Sequence, residues 1–196
     1  PNPVGLLGQV WIASDHSEGP NRGNLYIVSS VDPPGTDPLD VHFIRSTDNG
    51  ETWSDPVRVN TDNRDAWQWF GTMSVAPNGR IDAIWLDTRN DATGGYSSEL
   101  YYSFSTDAGD TWSPNVALTP AFDPHVGWPQ QNKMGDYFDM VSDNLGANLA
   151  YAATFNNEQD VYFARIGDPA CPDAGRLTLD RSTYACDGVV RASVID

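Results

Sequence analysis

Positive charge is scarce in this sequence of 196 residues. Lys and Arg together number 11, against 27 Asp and Glu, so the net charge at pH 7 is −16. A surface of that sign repels phosphate backbones and anionic lipid surfaces. The balance therefore argues against nucleic acid as a partner, and with so few lysines it is typical of secreted or salt-exposed proteins.

Long apolar runs are also missing. No stretch approaches the roughly 20 apolar residues that a membrane-spanning helix needs, so the sequence predicts no membrane span. The chain opens at Pro1-Asn2-Pro3 without the charged, apolar and small-residue order of a signal sequence, which we interpret as a mature or trimmed end.

Cysteine is nearly absent. The two residues of this type, Cys171 and Cys186, are spaced for a disulfide across a hairpin-sized loop in an oxidising compartment, and two reduced thiols are the alternative. No spacing of His and Cys suggests zinc. The sequence predicts no cofactor. Calcium is the one candidate ion, because the acidic loops 32–40 and 156–160 supply oxygen ligands, although neither has an EF-hand pattern.

Aromatic and turn-forming residues are plentiful instead. Seven Trp and eight Tyr accompany 17 Gly and 14 Pro, and 39% of the residues are hydrophobic. This composition supports a sizeable core and favours an all-β fold with many turns over a disordered acidic chain.

One eight-residue segment occurs twice. The segment 46–53 returns 59 residues later as 105–112, each time between two β-rich runs. A repeat of this period predicts an array of similar strand–turn–strand units. The shared positions are Ser46, Asp48, Gly50 and Trp53 in the first copy, and Ser105, Asp107, Gly109 and Trp112 in the second.

These repeated residues are expected to be architectural. The Asp side chain can accept hydrogen bonds from turn amides, the Gly can take a positive φ, and the Trp can pack as an apolar plug between neighbouring sheets. The pattern Ser-x-Asp-x-Gly-x-Thr-Trp resembles the Asp box of sialidases and related β-propellers. That resemblance implies a six-bladed ring in which the Asp boxes lie away from the active face.

The fold that follows is all-β: a partial β-propeller of about three four-stranded blades, half of a six-bladed ring, followed by the start of a C-terminal β-sandwich module. The predicted domains are residues 1–167 and 168–196. The third blade lacks its fourth strand, and half a ring leaves blade faces and strand edges open. We therefore expect either a missing propeller half or self-association through open blade edges. The predicted strands are 8–13, 24–29, 41–46 and 57–60 in blade A; 70–75, 80–86, 99–105 and 116–119 in blade B; and 137–141, 148–153 and 160–165 in blade C, whose first turn is predicted at 142–146.

Candidate binding residues lie on the face opposite the Asp boxes, in the loops between second and third strands and in the linkers between blades. Tryptophans beside acidic, basic and amide side chains suit a glycan. The alternatives are that the tryptophans only plug the linkers, and that Asp87 and Arg89 form a local salt bridge in place of an Arg aimed at a ligand carboxylate. The predicted ligand-binding residues are Arg64, Asp65, Trp67, Trp69, Asp87, Arg89, Tyr96, His125, Trp128 and Gln131.

Three functions fit these features, all at the cell surface or outside the cell. The first is a glycan-binding propeller. The second is an exo-glycosidase of the sialidase type, with part of its site elsewhere, and the third is a structural module of a surface protein. Sialidases use a Tyr nucleophile, so the resemblance makes Tyr137 with Asp136 the candidate catalytic pair; a core role for Tyr137 is the alternative.

Overall fold

The computed structural model describes residues 9–127, 134–135 and 137–167, and the backbone of residues 176–179 and 192–195. Every helix or strand within those residues is a β-strand, so the all-β prediction is confirmed. The strands form two four-stranded sheets, one three-stranded sheet and one two-stranded sheet, all antiparallel. Among these residues there is no helix that could cross a membrane.

The first three sheets are the predicted blades, each with its strands in chain order. Blade A consists of β1 (Trp11–Ser14), β2 (Leu25–Val31), β3 (Asp40–Ser46) and β4 (Val57–Arg58). Blade B consists of β5 (Gln68–Val75), β6 (Ile81–Asp87), β7 (Glu99–Ser105) and β8 (Val116–Ala117). Blade C has three strands, β9 (Asp139–Asp143), β10 (Gly146–Ala153) and β11 (Asp160–Gly167).

Blade C begins later than the sequence predicted. Its first strand runs over 139–143 instead of 137–141, and the expected turn at 142–146 shrinks to Asn144 and Leu145. Two features accompany the shift. The Asp143 carboxylate accepts a hydrogen bond from the Leu145 amide at 2.7 Å. Gly146, the first residue of β10, has a φ of 141°, and an added Cβ there would overlap the Ile166 carbonyl.

Strand β5 contains a β-bulge that the sequence analysis missed. Its register against β6 shifts between Trp69 and Thr72, and Phe70 has a φ of 58°. Successive side chains of a regular strand point to opposite faces, yet Trp69 and Phe70 both belong to the core between blades B and C. The bulge therefore turns two consecutive aromatic residues toward one core.

Two hydrophobic cores hold the blades together. Tyr26, Val28, Val41 and Phe43 of blade A pack against blade B in one core. The other core joins blade B to blade C. Residues facing these joints are almost wholly buried, and both blade B faces are covered.

The repeated turns have the geometry predicted for them. The carboxylate of Asp48 accepts hydrogen bonds from the Thr52 amide at 2.9 Å and from its hydroxyl at 2.5 Å, and Asp107 does the same with Thr111 at 2.9 and 2.6 Å. Gly50 and Gly109 both have a φ of 88°. The repeat therefore builds two superimposable turns, each closed by its Asp side chain.

The tryptophans of the two turns differ in their surroundings. Trp112 packs edge-on against Phe43 of blade A, with ring centroids 5.4 Å apart, as a plug between blades. Trp53 is 37% exposed, because no described residue covers the corresponding side of blade A. The plug prediction is therefore confirmed for Trp112 and stays a prediction for Trp53.

The acid titration of the first turn is a direct test of its geometry. Hydrogen bonds from Thr52 lower the pKa of Asp48 to about 2, against about 3.9 in an unfolded chain. The ionised carboxylate therefore stabilises the fold above about pH 4, and this contribution is lost as pH falls toward about 2. We expect a carboxyl ¹³C NMR titration to place the Asp48 midpoint near 2, and Asp48→Asn to weaken the pH dependence of thermal unfolding in that window. A midpoint near 3.9 would contradict the hydrogen-bonded turn.

The last two strands, β12 (Arg176–Leu179) and β13 (Ala192–Ile195), pair antiparallel. Both lie within residues 168–196, the segment that the sequence analysis assigned to a C-terminal β module. The division of the chain at residue 168 remains a prediction. Cys171 and Cys186 lie outside the described residues, so their pairing stays open.

Candidate functional site

The strand register sorts the loops onto two ends of the blades, as predicted. Ser14 pairs with Leu25, and Leu25 pairs with Ser46, so the first turn of blade A lies at the same end as its repeated turn 46–53. Val31 pairs with Asp40 at the opposite end. That opposite end carries the loops between second and third strands and the linkers between blades, where the candidate site lies.

The linker from blade A to blade B starts in a polar network. The Asn60 amide donates to Asp40 at 2.6 Å and to Asp62 at 2.7 Å, and Arg58 lies 2.8 and 3.1 Å from the same two carboxylates. Burial, followed by the charge of Asp40, raises the pKa of Asp37 beside them. These contacts fix the path of the linker toward the site.

The end of that linker is pinned to blade B. The Trp67 amide donates to the Thr88 hydroxyl at 2.9 Å, and the Thr88 amide donates back to the Trp67 carbonyl at 3.1 Å. Trp67 also forms an isolated parallel bridge with Leu39 of blade A. The partly exposed indole is therefore held where the linker meets the blade B loop 88–98.

Asp87 and Arg89 form the salt bridge that was one of the two alternatives. Asp87 is wholly buried and accepts from the Trp85 indole at 2.8 Å and from Arg89 at 2.6 and 2.9 Å. The Arg89 guanidinium lies 4.3 Å from the Tyr101 ring centre. Burial acts to lower the pKa of Arg89, but the hydrogen bonds and charge of Asp87 raise it overall. The pair fixes the start of the blade B loop 88–98. Because Asp87 is buried, its carboxylate cannot contact a ligand.

A cleft opens between the linker and the blade B loop. Its volume is about 290 Å³, close to the lower end for small-ligand sites. We call it the linker cleft. Its lining includes Arg64, Asp65, Trp67, Arg89, Asp91 and Gly95, of which Arg64 and Asp65 are exposed.

Asp91 is a lining residue that the sequence analysis did not select. Its carboxylate accepts from the Thr93 hydroxyl at 2.6 Å, the Thr93 amide at 2.9 Å and the Ser97 amide at 3.0 Å. These bonds lower its pKa, those from Thr93 most strongly. Asp91 therefore shapes the loop and keeps a negative charge in the cleft. The Asp-x-Thr sequence, which is typical of a side-chain-closed turn, is the signal that could have identified it.

A second cleft lies on the other side of the same loop. Its volume is about 610 Å³ and it meets the linker cleft at Asp91. The Tyr96 ring, 50% exposed, lies 4.8 Å from the His125 ring, and Asp123 accepts from the His125 amide at 2.9 Å. We call it the tyrosine cleft. Asp123 was likewise not predicted as a site residue.

Other predicted site residues lie elsewhere. Trp69 is wholly buried and its indole donates to the Ser98 hydroxyl at 3.2 Å, so it is a core residue and not a ligand platform. Tyr137 precedes β9 and is 81% exposed, so it is not a core residue. The remaining predicted residues, Trp128, Gln131 and Asp136, lie outside the described residues.

Among the described residues, no group of three or more His, Cys, Asp or Glu side chains is placed to hold a metal ion. Calcium therefore remains an untested expectation.

Comparison with known proteins identifies the fold alone. No family model matches the chain, and no curated protein matches it. Among solved structures, an α-L-arabinanase from Penicillium chrysogenum matches at a TM-score of 0.52 and 21% identity, covering 84% of this chain and 48% of the enzyme. An α-L-arabinofuranosidase from Fusarium graminearum matches at 0.55 and 16%, covering 94% and 52%. A protein of unknown function from Dyadobacter fermentans matches at 0.54 and 16%, covering 96% and 41%.

The chain has the fold of a partial β-propeller. It spans about half the length of the structures it matches. The two named enzymes are β-propeller glycoside hydrolases, and at these identities the likeness concerns the fold and not the chemistry.

Proposed function

We propose that this protein is a secreted or cell-surface Asp-box propeller that binds a neutral glycan in the linker and tyrosine clefts. The observation that carries this proposal is the pair of aromatic side chains, Trp67 and Tyr96, on either side of one loop. Each combines an apolar ring with a polar edge. Polar side chains that can form hydrogen bonds with sugar hydroxyl groups line the clefts beside both rings, as a sugar site requires.

The charges around the clefts favour a neutral sugar over an acidic one. Arg89 is engaged by Asp87, so among the described lining residues Arg64 is the cation left to face a ligand. Asp65, Asp91 and Asp123 line the same two clefts. A carboxylate-bearing sugar would meet more negative than positive charge there. Arabinose-containing glycans, which the two matched fungal enzymes handle, are the first neutral class to try.

The proposal is tested on a glycan array followed by calorimetric titration with arabinobiose and 3′-sialyllactose. We expect neutral oligosaccharides to bind and sialylated ones to fail. Removing the exposed ring in Tyr96→Ala should raise the dissociation constant at least about tenfold, as for other central aromatic contacts. Leu145→Ala, which removes a 70% exposed apolar side chain from the first turn of blade C, outside both clefts, is the control and should bind as the wild type does. Selective binding of sialosides would overturn the assignment.

A glycoside hydrolase is the second candidate. The observation in its favour is that two carboxylates, Asp65 and Asp91, line one cleft, because most glycosidases act with a pair of carboxyl groups. The lowered pKa of Asp91 suits the ionised partner of such a pair. A sialidase mechanism would instead involve Tyr137 and Asp136.

Activity is checked with 4-nitrophenyl α-L-arabinofuranoside and a fluorogenic sialoside. Turnover of the arabinoside that disappears in Asp91→Asn would support hydrolysis in the linker cleft. Turnover of the sialoside that disappears in Tyr137→Phe would support the sialidase mechanism. Binding with no turnover of either substrate favours the binding protein.

A further inference from the structure

Two blade faces are open in the described chain. The rear face of blade C consists of Val141, Ala150, Val161, Phe163 and Arg165. Val141 is 62% exposed, Val161 78% and Phe163 50%. The corresponding faces of blades A and B are covered by the next blade. Blade C thus presents an uncovered version of a face that is a joint elsewhere in the same molecule.

Strand register makes the comparison residue by residue. Phe163 pairs with Ala150, as Phe43 pairs with Val28 in blade A and Tyr102 with Ile84 in blade B. The exposed fraction of the aromatic side chain is 1% for Phe43 and 5% for Tyr102, against 50% for Phe163. Phe163 therefore occupies the position of an aromatic residue that is buried in the other two blades, but no described blade covers it.

The front face of blade A is the complementary case. It carries Ile12, Ile27, Ile44, Glu51 and Trp53. Ile12 is 61% exposed, and an apolar hollow of about 340 Å³ lies over Ile27 and Ile44. Ile27 and Ile44 are cross-strand partners in blade A, and Ala83 and Ser103 are the corresponding partners in blade B. The pair in blade B is wholly buried against blade A.

The joint between blades A and B shows how two such faces fit. Phe43 receives the Trp112 ring at 5.4 Å, and two residues further along β3 Arg45 lies 2.8 Å from Asp110. Arg45 also donates to the Ala108 carbonyl at 3.1 Å. An aromatic-x-Arg sequence on one blade thus docks the acid and the tryptophan of the next Asp box.

Both halves of this joint recur on the open faces. Blade C repeats the aromatic-x-Arg sequence as Phe163 and Arg165, whose guanidinium is held by Asp143 at 2.7 and 2.8 Å. Blade A repeats the acid and tryptophan as Glu51 and Trp53. Blade B has Tyr102 and Phe104 at these places and no Arg. The aromatic-x-Arg sequence and the acid with its tryptophan therefore occur on the two open faces. The face of blade B that packs against blade C lacks the Arg.

We propose that the rear face of blade C docks onto the front face of blade A of a second copy of the chain. Two copies related by a two-fold axis then form one closed ring of six blades, within the range of known propellers. Phe163 packs against Trp53 of the partner, and Arg165 approaches its Glu51.

Ring closure has a consequence for the glycan clefts. A two-fold axis along the ring axis leaves both copies facing the same way, so both sets of clefts lie on one face of the ring. A bivalent particle gains avidity on a surface that displays repeated glycans. The assembly itself does not depend on glycan binding.

Sedimentation velocity of the 196-residue chain tests the proposal. We expect a species of twice the 21.4 kDa chain mass. Phe163→Asp and Trp53→Ala should each raise the dimer dissociation constant at least about tenfold, because each removes a central aromatic contact from both joints. Glu51→Arg, on an exposed turn where misfolding is not expected, should also weaken the dimer by placing like charges together. Tyr96→Ala removes an aromatic ring of the same 50% exposure from the glycan cleft and should leave the dimer intact.

Three results would overturn the proposal: a monomer at every concentration, a dimer that none of the three face variants weakens, or an open series of higher oligomers. Near-ultraviolet circular dichroism confirms that each variant is folded. A dimer that binds no glycan would mean that the proposed function fails while this proposal holds. A monomer that binds glycan would mean the reverse.

Discussion

Replacing Asp82 by alanine is expected to lower the free energy of unfolding by about 3–5 kcal/mol, because removing one partner of a buried ion pair leaves the other charge uncompensated. Asp82 is wholly buried and accepts from Arg80 at 2.8 and 3.0 Å and from the Tyr102 hydroxyl at 2.6 Å. Arg80 in turn donates to the carbonyls of Asp143 and Gly146 at 2.9 Å. The pair therefore connects blade B to the first hairpin of blade C.

Chemical denaturation of Asp82→Ala measures this effect, and Asp110→Ala is its control. Asp110 pairs with Arg45, but its side chain is 63% exposed, and such pairs contribute only about 0–1 kcal/mol. Equal losses in the two variants would mean that burial of the Arg80–Asp82 pair is not what makes it important. Asp82→Asn, which keeps the shape and removes the charge, should fall between the two.

The second large effect is expected for Gly109→Ala. A Cβ at Gly109 would overlap the ring of Phe43, the residue that receives Trp112, and the backbone there has a φ of 88°. The left-handed backbone costs about 1–2 kcal/mol for a residue with a Cβ, and overpacking of a well-filled core adds about 1–3 kcal/mol. We expect the free energy of unfolding to fall by about 2–5 kcal/mol.

Gly50→Ala provides a matched control within the same chain. Gly50 has the same φ of 88°, but the nearest atom to an added Cβ is 3.5 Å away on Leu25. It should therefore show the backbone cost alone, about 1–2 kcal/mol. The difference between the two variants isolates the packing of blade A against blade B. Equal losses would contradict that interpretation.

Local chemistry made the blades predictable. The repeated turns are closed by residues within eight positions of each other, such as Asp48 and Thr52, so their geometry follows from the segment itself. Alternating apolar residues located most strands to within two residues. The bulge at Trp69 and Phe70 was missed because it arises from packing against blade C, which the local pattern of β5 does not contain.

The site was less predictable because burial decides which side chains reach a ligand. Trp67 and Trp69 look equivalent in the sequence, but Trp69 faces the core and Trp67 lines a cleft. The sequence left two roles open for Arg89, a salt bridge or a ligand contact, and the structure shows that the buried Asp87 engages its guanidinium. Asp91 and Asp123 entered the site only when the structure brought the loop and the next linker together.

A crystal structure with the oligosaccharide that binds most tightly on the array is the most direct test of the central claim. We predict density for a sugar ring within about 4 Å, ordinary contact distance, of Trp67 or Tyr96, between the A–B linker and the blade B loop. Sugar bound at the end of the blades that carries the repeated turns, with both clefts empty, would contradict the account.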